Sequence, residues 1–580
     1  MNDLVQNVYG NFLDVQRLLK RFTDMEGKKQ PWKTKWQKIQ DMTYPNMRDY
    51  TSKTDVLKGS STEKIGNHCS AITGKITKAI SMLHSQITDP MVKWIGLAFR
   101  KSPTMLMDGQ QASFADNPIV EQWLQECENC LYDLFNDPKS NFYPSSFMFH
   151  RDWFTLGTAC RHVSIRNDTG DIYFNCISLN DIFIDTGAYD QIEYIARRYS
   201  LTAEQAYSLW GENIGAEQMQ ILRNNGSSGS QKKFEYIEMC MKTPPEVSGG
   251  NPFAVAPYLS VILNKAGKNI ISIQPELSFP YIVARFDIDP GDLYGKSLVW
   301  LSMPDIIVTN RVSRRNIQAI DYASLPPILT SDALSINMGQ LTPGAIVQGL
   351  DSERRADFQP LNMGANLPIS MQFYEQKLAE LDEELMANDI IPPDLRGNMT
   401  PTEVIERKIQ WNNRLRPILI RLETEDLRFT LKRAMQLLAQ KGGMPQFPYD
   451  TLGLSPEQLP DPIEMINISF AGQMAKMRRL QDAQNIDMLT MKAMQYAQVD
   501  QSVLQLMKFN EIVREEADIY DVPKNLLKTD EELMAEAEAA RQAEEEQAQA
   551  QEEDARLQRR MVEGQLEKEG ISVDEEEEVI

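Results

Sequence analysis

The spacing of apolar residues predicts that residues 1 to about 135 are mostly helical. The clearest segment is Thr62–Ile87, whose apolar residues recur at steps of three and four, as one buried helix face requires. Asn11–Phe22, Pro31–Met42 and Pro118–Phe135 show the same period. The first quarter of the chain should therefore supply four amphipathic helices.

Between about residues 145 and 300 the apolar period becomes alternating, which is typical of strands. His162–Ile165 and Ile172–Ile177 flank the turn Asn167–Gly170, so they predict a hairpin. Thr202–Trp210 is predicted as a short helix, because Thr202 can cap it and Gly211 can end it. An antiparallel sheet beside helices gives an α+β fold class. Further strands are predicted at Asp181–Asp185, Glu193–Tyr199, Phe234–Met241, Tyr258–Leu263, Asn269–Ile273 and Tyr281–Asp287.

Two helices are predicted on either side of an irregular insert. The first is Asp305–Ser324, the insert is the Gly- and Pro-rich segment Leu325–Pro368, and the second runs from Met371 to Asn388 with Ser370 as its N-cap. Helices of similar length that bracket an insert can lie side by side and form a stalk. The residues expected to pack between them are Ile306, Ile317 and Ile320 on the first helix and Tyr374, Leu378, Leu381 and Leu385 on the second.

The strongest helix start in the chain is a capping box at Thr400-Pro401-Thr402-Glu403. This helix is predicted to run to Lys441, with a kink at Pro417 and an end at Gly442-Gly443. A Pro-rich connector and a strand at Met465–Phe470 follow. Three more helices are predicted at Gln473–Ala497, Gln501–Asp518 and Thr529–Ala540.

Composition and charge narrow the class of protein. The chain has 580 residues, 42% of them hydrophobic, and a net charge of −22, which argues against a protein that grips nucleic acid by bulk positive charge. Residues 531–580 hold 18 acidic and 5 basic side chains, so residues 541–580 are expected to be a disordered acidic tail. The six cysteines predict reduced thiols in a cytoplasm. Neither a signal peptide nor a membrane-spanning run is expected.

The chemistry of common enzymes is missing from the sequence. The Gly74-Lys75 pair does not complete a phosphate-binding loop, and neither H-E-x-x-H nor G-x-S-x-G occurs. The lone pair Cys127 and Cys130 lacks the second pair that a structural zinc site needs, and is expected to pack in the core. The four histidines show no spacing typical of metal ligands. No catalytic residue, metal or cofactor is predicted.

The order of elements resembles that of podovirus-type bacteriophage portal proteins, which are also called head-to-tail connectors. Three stretches carry the resemblance, which extends over about residues 30 to 530: Trp153–Arg161, Pro290–Ser297 and Met399–Val404. Trp94 also follows Asp89-Pro90 as in that family, although Ile95 stands where the family has an aromatic residue.

The resemblance implies a portal fold assembled as a ring of subunits, usually twelve, at one capsid vertex. Its parts would be a wing, a helical stem, a clip insert and a mainly helical crown. The corresponding ranges are 1–300 for the wing, 301–324 and 371–391 for the stem helices, 325–370 for the clip, 392–400 for the channel (tunnel) loop, 401–472 for the long kinked wing helix and connector, 473–540 for the crown and 541–580 for the acidic tail.

Several basic or polar residues become candidates for contact with DNA or partners. Arg311, Arg314 and Arg315 lie close together on the first stem helix. They either form a solvated face or pair with acids of a neighbouring subunit, or else they face the channel or bind phosphates weakly. In the tunnel loop, Arg396 and Asn398 are further channel candidates. In the clip, Arg354 and Arg355 are candidates for contact with the terminase or the tail adaptor.

The resemblance also implies the partners and the place of action. Double-stranded DNA would pass through the channel without sequence-specific contacts, first during packaging by the terminase large subunit and later during ejection. Other expected partners are a tail adaptor, the major capsid protein and scaffold or internal core proteins, and the protein would be assembled in the host cytoplasm into the virion. Two alternatives from other classes are a helical adaptor or scaffold protein of the virion and, less favoured by the missing phosphate-binding loop, a packaging nuclease.

Overall fold

A computed structural model describes most of the chain up to residue 470 and a few segments beyond it. The described residues are 14–44, 69–90, 93–99, 106–107, 110–111, 117–166, 168–187, 190–223, 232–243, 256–326, 328–330, 346–348, 359–360, 367–387, 403, 416–452, 462–470, 486–496, 509, 512–513 and 517. The chain divides into two compact units, Met1–Ala475 and Lys476–Ile580.

The first unit opens with long helices, as the sequence predicts, but the first two predicted helices form one. Pro31 lies inside this helix without ending it. Pro31 has no backbone N–H to donate to the carbonyl of Gly27, four residues earlier in the helix. Both residues are exposed, so water can donate to that carbonyl instead. The elements are α1 (Val15–Thr43), α2 (Ser70–Ile87), the strands β1 (Ile95–Phe99), β2 (Leu106–Met107) and β3 (Gln110–Gln111), α3 (Pro118–Asn136) and α4 (Phe142–Leu156).

Eight strands and two short helices follow, and the predicted strands are all confirmed. They are β4 (Thr158–Ile165), β5 (Ile172–Ile177), β6 (Ile182–Thr186), β7 (Ile192–Thr202), α5 (Ala203–Trp210), α6 (Ala216–Arg223), β8 (Lys233–Lys242), β9 (Tyr258–Asn264), β10 (Asn269–Glu276) and β11 (Tyr281–Arg285).

These strands form two antiparallel sheets, ordered β10-β9-β8-β7-β6 and β11-β4-β5. Leu18, Phe22 and Met25 of α1 pack on one face of the larger sheet, and α5 and α6 pack against Tyr236 on the other. In the smaller sheet the predicted hairpin pairs Ile165 with Ile172. The α+β class is therefore confirmed.

The turn between α4 and β4 depends on a glycine. Gly157 has φ +83°, and a Cβ there would overlap the backbone of Gly295 and lie 2.7 Å from the backbone nitrogen of Ser297. The carbonyl of Gly157 accepts a 2.8 Å hydrogen bond from the backbone N–H of Phe286. The stretch Pro290–Ser297 thus runs against the start of β4, and Ser297 caps the next helix by accepting from Trp300 N.

That stretch leads into the two helices that bracket the insert. The elements are α7 (Leu298–Leu301), α8 (Met303–Ser324), β12 (Ile328–Thr330), β13 (Ile346–Gln348), β14 (Gln359–Pro360) and α9 (Leu367–Glu384). Within the insert, β12 pairs in parallel with β13 and antiparallel with β14. The predicted start of α9 is corrected: Ser370 lies inside the helix, because Pro368 fits the first turn and lets the helix begin at Leu367.

The long helix near the end of the first unit contains a π-helical turn. Residues 416–422 are helical and lead into the π turn Glu423–Leu427, which continues as α10 (Arg428–Gln440). The predicted stop at Gly442 is confirmed, since that residue has φ +70°. After α11 (Tyr449–Leu452), the strand β15 (Ile466–Phe470) pairs antiparallel with β1.

The second unit is described only at residues 486–496, 509, 512–513 and 517, all of which are helical. They fall within the helices predicted at Gln473–Ala497 and Gln501–Asp518. The cap at Thr400, the helix at Thr529–Ala540 and the acidic tail at 541–580 lie outside the described residues.

Candidate functional site

Helices α8 and α9 form an antiparallel pair, and polar contacts fix their register. Lys377 Nζ lies 2.9 Å from Asp305 Oδ1, near the start of α8. Further along α8, the Ser370 hydroxyl donates to the side chain of Asn316. Because the contact position moves back along α9 as it moves forward along α8, the two helices run in opposite directions.

The pair is embedded in the core at one end only. Ile306, Leu381 and Leu385 are fully buried, and Tyr374 is partly buried against the same core cluster. Leu378 is also partly buried. At the other end the side chains of Ile317 and Ile320 are 48% and 41% exposed, so these two do not lie against the α9 stripe as the sequence pattern suggested.

The embedded end of α9 is attached to α2. The hydroxyl of Tyr374 lies 3.1 Å from Cys69 Sγ, and Lys75 forms an ion pair with Asp382. Burial, together with Cys69, raises the pKa of Tyr374 to about 12, so this hydroxyl keeps its proton near neutral pH. The α8–α9 pair is therefore held by the N-terminal helices as well as by its own contacts.

The three arginines of α8 are exposed. Arg311, Arg314 and Arg315 lie at positions i, i+3 and i+4, and no ion pair joins them to a carboxylate among the residues that the structure describes. They form one continuous basic surface on the helix. The other basic and polar candidates, Arg354, Arg355, Arg396 and Asn398, lie outside the described residues.

The long helix is attached to the smaller sheet by a buried ion pair that the sequence did not reveal. Arg161 on β4 lies 3.1 Å from Asp426 in the π turn, and both side chains are fully buried. Ser146 accepts a hydrogen bond from Arg161, and Thr430 donates one to Asp426. Burial raises the pKa of Asp426, an effect that the Arg161 guanidinium opposes.

Two further ion pairs reinforce this attachment. Arg285 on β11 binds Glu425, the residue before Asp426, through both its guanidinium and its backbone N–H. Arg433 on α10 binds Glu276 at 2.8 Å and donates to the backbone carbonyl of Ser278. A π turn widens the helix by one residue, which allows two consecutive acidic side chains to meet the sheet. The long helix is therefore locked to the sheets by charge as well as by apolar packing.

The thiols and imidazoles are placed as structural groups. Cys127 is buried, and burial raises its pKa to about 12, so its thiolate form is suppressed at neutral pH. Two histidines meet although their spacing gave no sign of it: His84 Nδ1 lies 2.9 Å from His150 Nδ1. In the described ranges no group of three metal-ligating side chains occurs. None of the described helices is long and apolar enough to cross a bilayer.

The described residues thus form a mixed α+β body that holds an antiparallel helix pair around an insert, and buried ion pairs attach the long helix to the sheets. Comparison with known proteins identifies the family. The sequence profile described as "Bacteriophage head to tail connecting protein" matches residues 15–527. The chain belongs to this family of phage connectors, and it is accordingly a structural protein and not an enzyme.

Two relatives support the same conclusion. The portal protein of Salmonella phage epsilon15 is 23% identical over 474 residues, which cover 79% of this chain and 80% of that protein. The probable portal protein of Bordetella phage BPP-1 is 21% identical over 483 residues, which cover 81% of each. Both relatives come from podophages, so the predicted podovirus-type portal family is confirmed.

Proposed function

We propose that copies of this protein form the portal ring at one capsid vertex, with the twelve subunits that the family resemblance implies. Double-stranded DNA passes through the centre of the ring into the capsid and later out of it. The observation that carries the proposal is the connector-family match over residues 15–527. It places nearly all of the described residues, including the α8–α9 pair, within one family sequence.

The exposure pattern of the α8–α9 pair supports its role as the stem. The embedded end is held by Leu381 and Leu385, whereas Ile317 and Ile320 expose large apolar surfaces at the other end. Exposed apolar side chains grouped at one end of a helix pair favour contact with another protein surface. In a ring, neighbouring copies supply that surface, and the repeated helix pairs form the wall of the channel.

The remaining parts take the roles that the family order gives them. The clip at 325–370, with Arg354 and Arg355, contacts the terminase large subunit during packaging and the tail adaptor afterwards. The tunnel loop at 392–400, with Arg396 and Asn398, borders the channel. The crown and acidic tail face the capsid interior and the scaffold or core proteins. A net charge of −22 suits a wall along which a duplex must slide without being held.

Electron microscopy and native mass spectrometry of the purified full-length protein test the ring. We expect closed rings with a central hole. The double variant Ile317→Asp/Ile320→Asp should shift the population toward free subunits, because it places charge on the apolar end of the stem. Leu209→Asp is a matched control, since Leu209 is also about half exposed but lies on α5. A uniform monomer of the unmodified protein at high concentration would refute the proposed function.

A further inference from the structure

The two outer edges of the α8–α9 pair carry opposite charge. Along α8, the residues that contact α9 include Asp305 and Asn316. At about 100° per residue, Arg311, Arg314 and Arg315 lie roughly 130°, 170° and 90° around α8 from those contacts, so all three turn away from α9. The edge of the pair formed by α8 is therefore basic; we call Arg311, Arg314 and Arg315 the basic edge.

The other edge of the pair is acidic. Residues 367–387 hold five acidic side chains and one basic one. Lys377 contacts α8, and Glu375 and Glu383 lie roughly 120° to 160° around α9 from the side that faces α8. Both glutamates are exposed; we call them the acidic edge. Beside it is an open cleft of about 520 Å³ lined by Glu380, Glu383, Glu384 and Met386.

Arg311 and Glu375 lie at similar levels along the pair, whereas Glu383 lies about 12 Å closer to the start of α8. Ser313 forms a side-chain hydrogen bond with Tyr374, and Asn316 forms one with Ser370. This register places Arg311 at about the level of Glu375. If the axis of the ring runs parallel to the helix pair, rotation about it keeps every residue at the same height. A residue on the basic edge of one copy then faces residues at the same level on the acidic edge of the next copy.

We propose that the basic edge of one copy docks against the acidic edge of the next copy, and that this contact forms the seam between neighbouring stems. The inference rests on the proposed ring. A contact between two different surfaces of the same protein is heterologous and closes into a ring when the rotation fits. Like edges would bring guanidinium against guanidinium, which disfavours a two-fold dimer.

The seam assigns the three arginines to subunit contact and not to DNA. Guanidinium groups are suited to this role because they pair with carboxylates in a planar, two-pronged geometry. The exposed Ile317 lies beyond Arg315 on the same helix and adds apolar area at the open end of the stem. The seam thus combines charge, which selects the correct edge, with apolar area at one end.

Complementation between two full-length variants tests the seam. Arg311→Glu/Arg314→Glu makes both edges of the pair acidic, and Glu375→Lys/Glu383→Lys makes both edges basic. We expect each variant alone to need about tenfold or more higher concentration for half-maximal ring formation. Mixed in equal amounts, the two variants should assemble near the wild-type concentration, because every seam of an alternating ring then joins opposite charges. Arg223→Glu, an exposed change on α6, is the control and should assemble normally.

The outcomes separate this proposal from the proposed function. If both variants assemble like the wild type, or if mixing gives no rescue, the seam is wrong while the ring stands. Wild-type ring formation by Arg311→Glu/Arg314→Glu together with a loss of DNA packaging would assign the arginines to the channel, which also overturns the seam. If the unmodified protein forms no rings, both proposals fail.

Discussion

Removal of one partner of the Arg161–Asp426 ion pair should loosen the long helix from the sheet. In the variant Asp426→Ala, the partners that remain for Arg161 among the described residues are the Ser146 hydroxyl and the faces of nearby aromatic rings. The positive charge stays buried, because the side chain is fully enclosed. Thr430 also loses the acceptor of its 2.9 Å hydrogen bond.

The size of the effect follows from burial. At 3.1 Å, two unit charges attract by roughly 5 kcal/mol for an effective dielectric constant near 20. The desolvation of both charges offsets much of that gain, but an unpaired buried charge retains its own desolvation cost. Breaking such a pair therefore costs about 3–5 kcal/mol, whereas replacing both partners by apolar residues can be close to neutral.

Hydrogen exchange of the full-length protein measures this loss of stability in the long helix directly. A loss of 3–5 kcal/mol should speed exchange of the amides at 428–440 by about a hundredfold to several thousandfold, if these amides open together. The double variant Arg161→Met/Asp426→Leu should recover most of the lost protection. Asp168→Ala is the matched control: the Arg166–Asp168 pair is shorter, at 2.6 Å, but its side chains are 44% and 60% exposed. Equal exchange in Asp426→Ala and Asp168→Ala would refute the reasoning.

Three other substitutions test separate parts of the structure. Leu381→Asp places a charge at a fully buried site and should cost about 3–5 kcal/mol; normal rings on size-exclusion chromatography would contradict the stem assignment. Gly157→Ala should lower the melting temperature much more than Gly170→Ala, because both glycines have positive φ but only Gly157 faces backbone atoms at that point; equal losses would contradict this. Burial lowers the pKa of His150 well below 6.5, so the unfolded chain binds a proton there first and stability falls by about 1.4 kcal/mol per pH unit as the pH drops below 6.5. His150→Asn should reduce the difference in melting temperature between pH 7 and pH 5, and an unchanged difference would show that another group controls it.

The sequence determined the features that depend on neighbours along the chain. Alternation around Asn167–Gly170 was enough to predict the hairpin, because a tight turn fixes which residues pair. Thr202 caps the helix Ala203–Trp210 as predicted, and the structure adds a contact that was not predicted, in which the side chain of Gln205 completes a capping box. The π turn at Glu423–Leu427 was not predicted, because it adds a single residue over one turn, and so small a shift resembles the ordinary irregularity of an apolar stripe.

In the candidate site, local patterns located the helices but not their surroundings. The stripe on α9 contained Leu381 and Leu385, which the structure buries fully. The same kind of pattern on α8 contained Ile317 and Ile320, which remain exposed in the single chain. Periodicity identifies an apolar face, but whether that face meets the core depends on how far the helix extends beyond the rest of the body.

Only the tertiary structure decided which charged residues and which strands far apart in the sequence come into contact. Arg161 and Asp426 are 265 positions apart, and the paired residues of β1 and β15 are further apart still. The chain has 60 basic and 82 acidic side chains, so either member of the ion pair has many possible partners of the right charge. Short-range spacing fixes helices and turns through contacts of a few residues. The choice among distant partners is made by the packing of whole elements, and that is why the sequence alone predicted the parts and their order while the structure showed what holds the long helix in place.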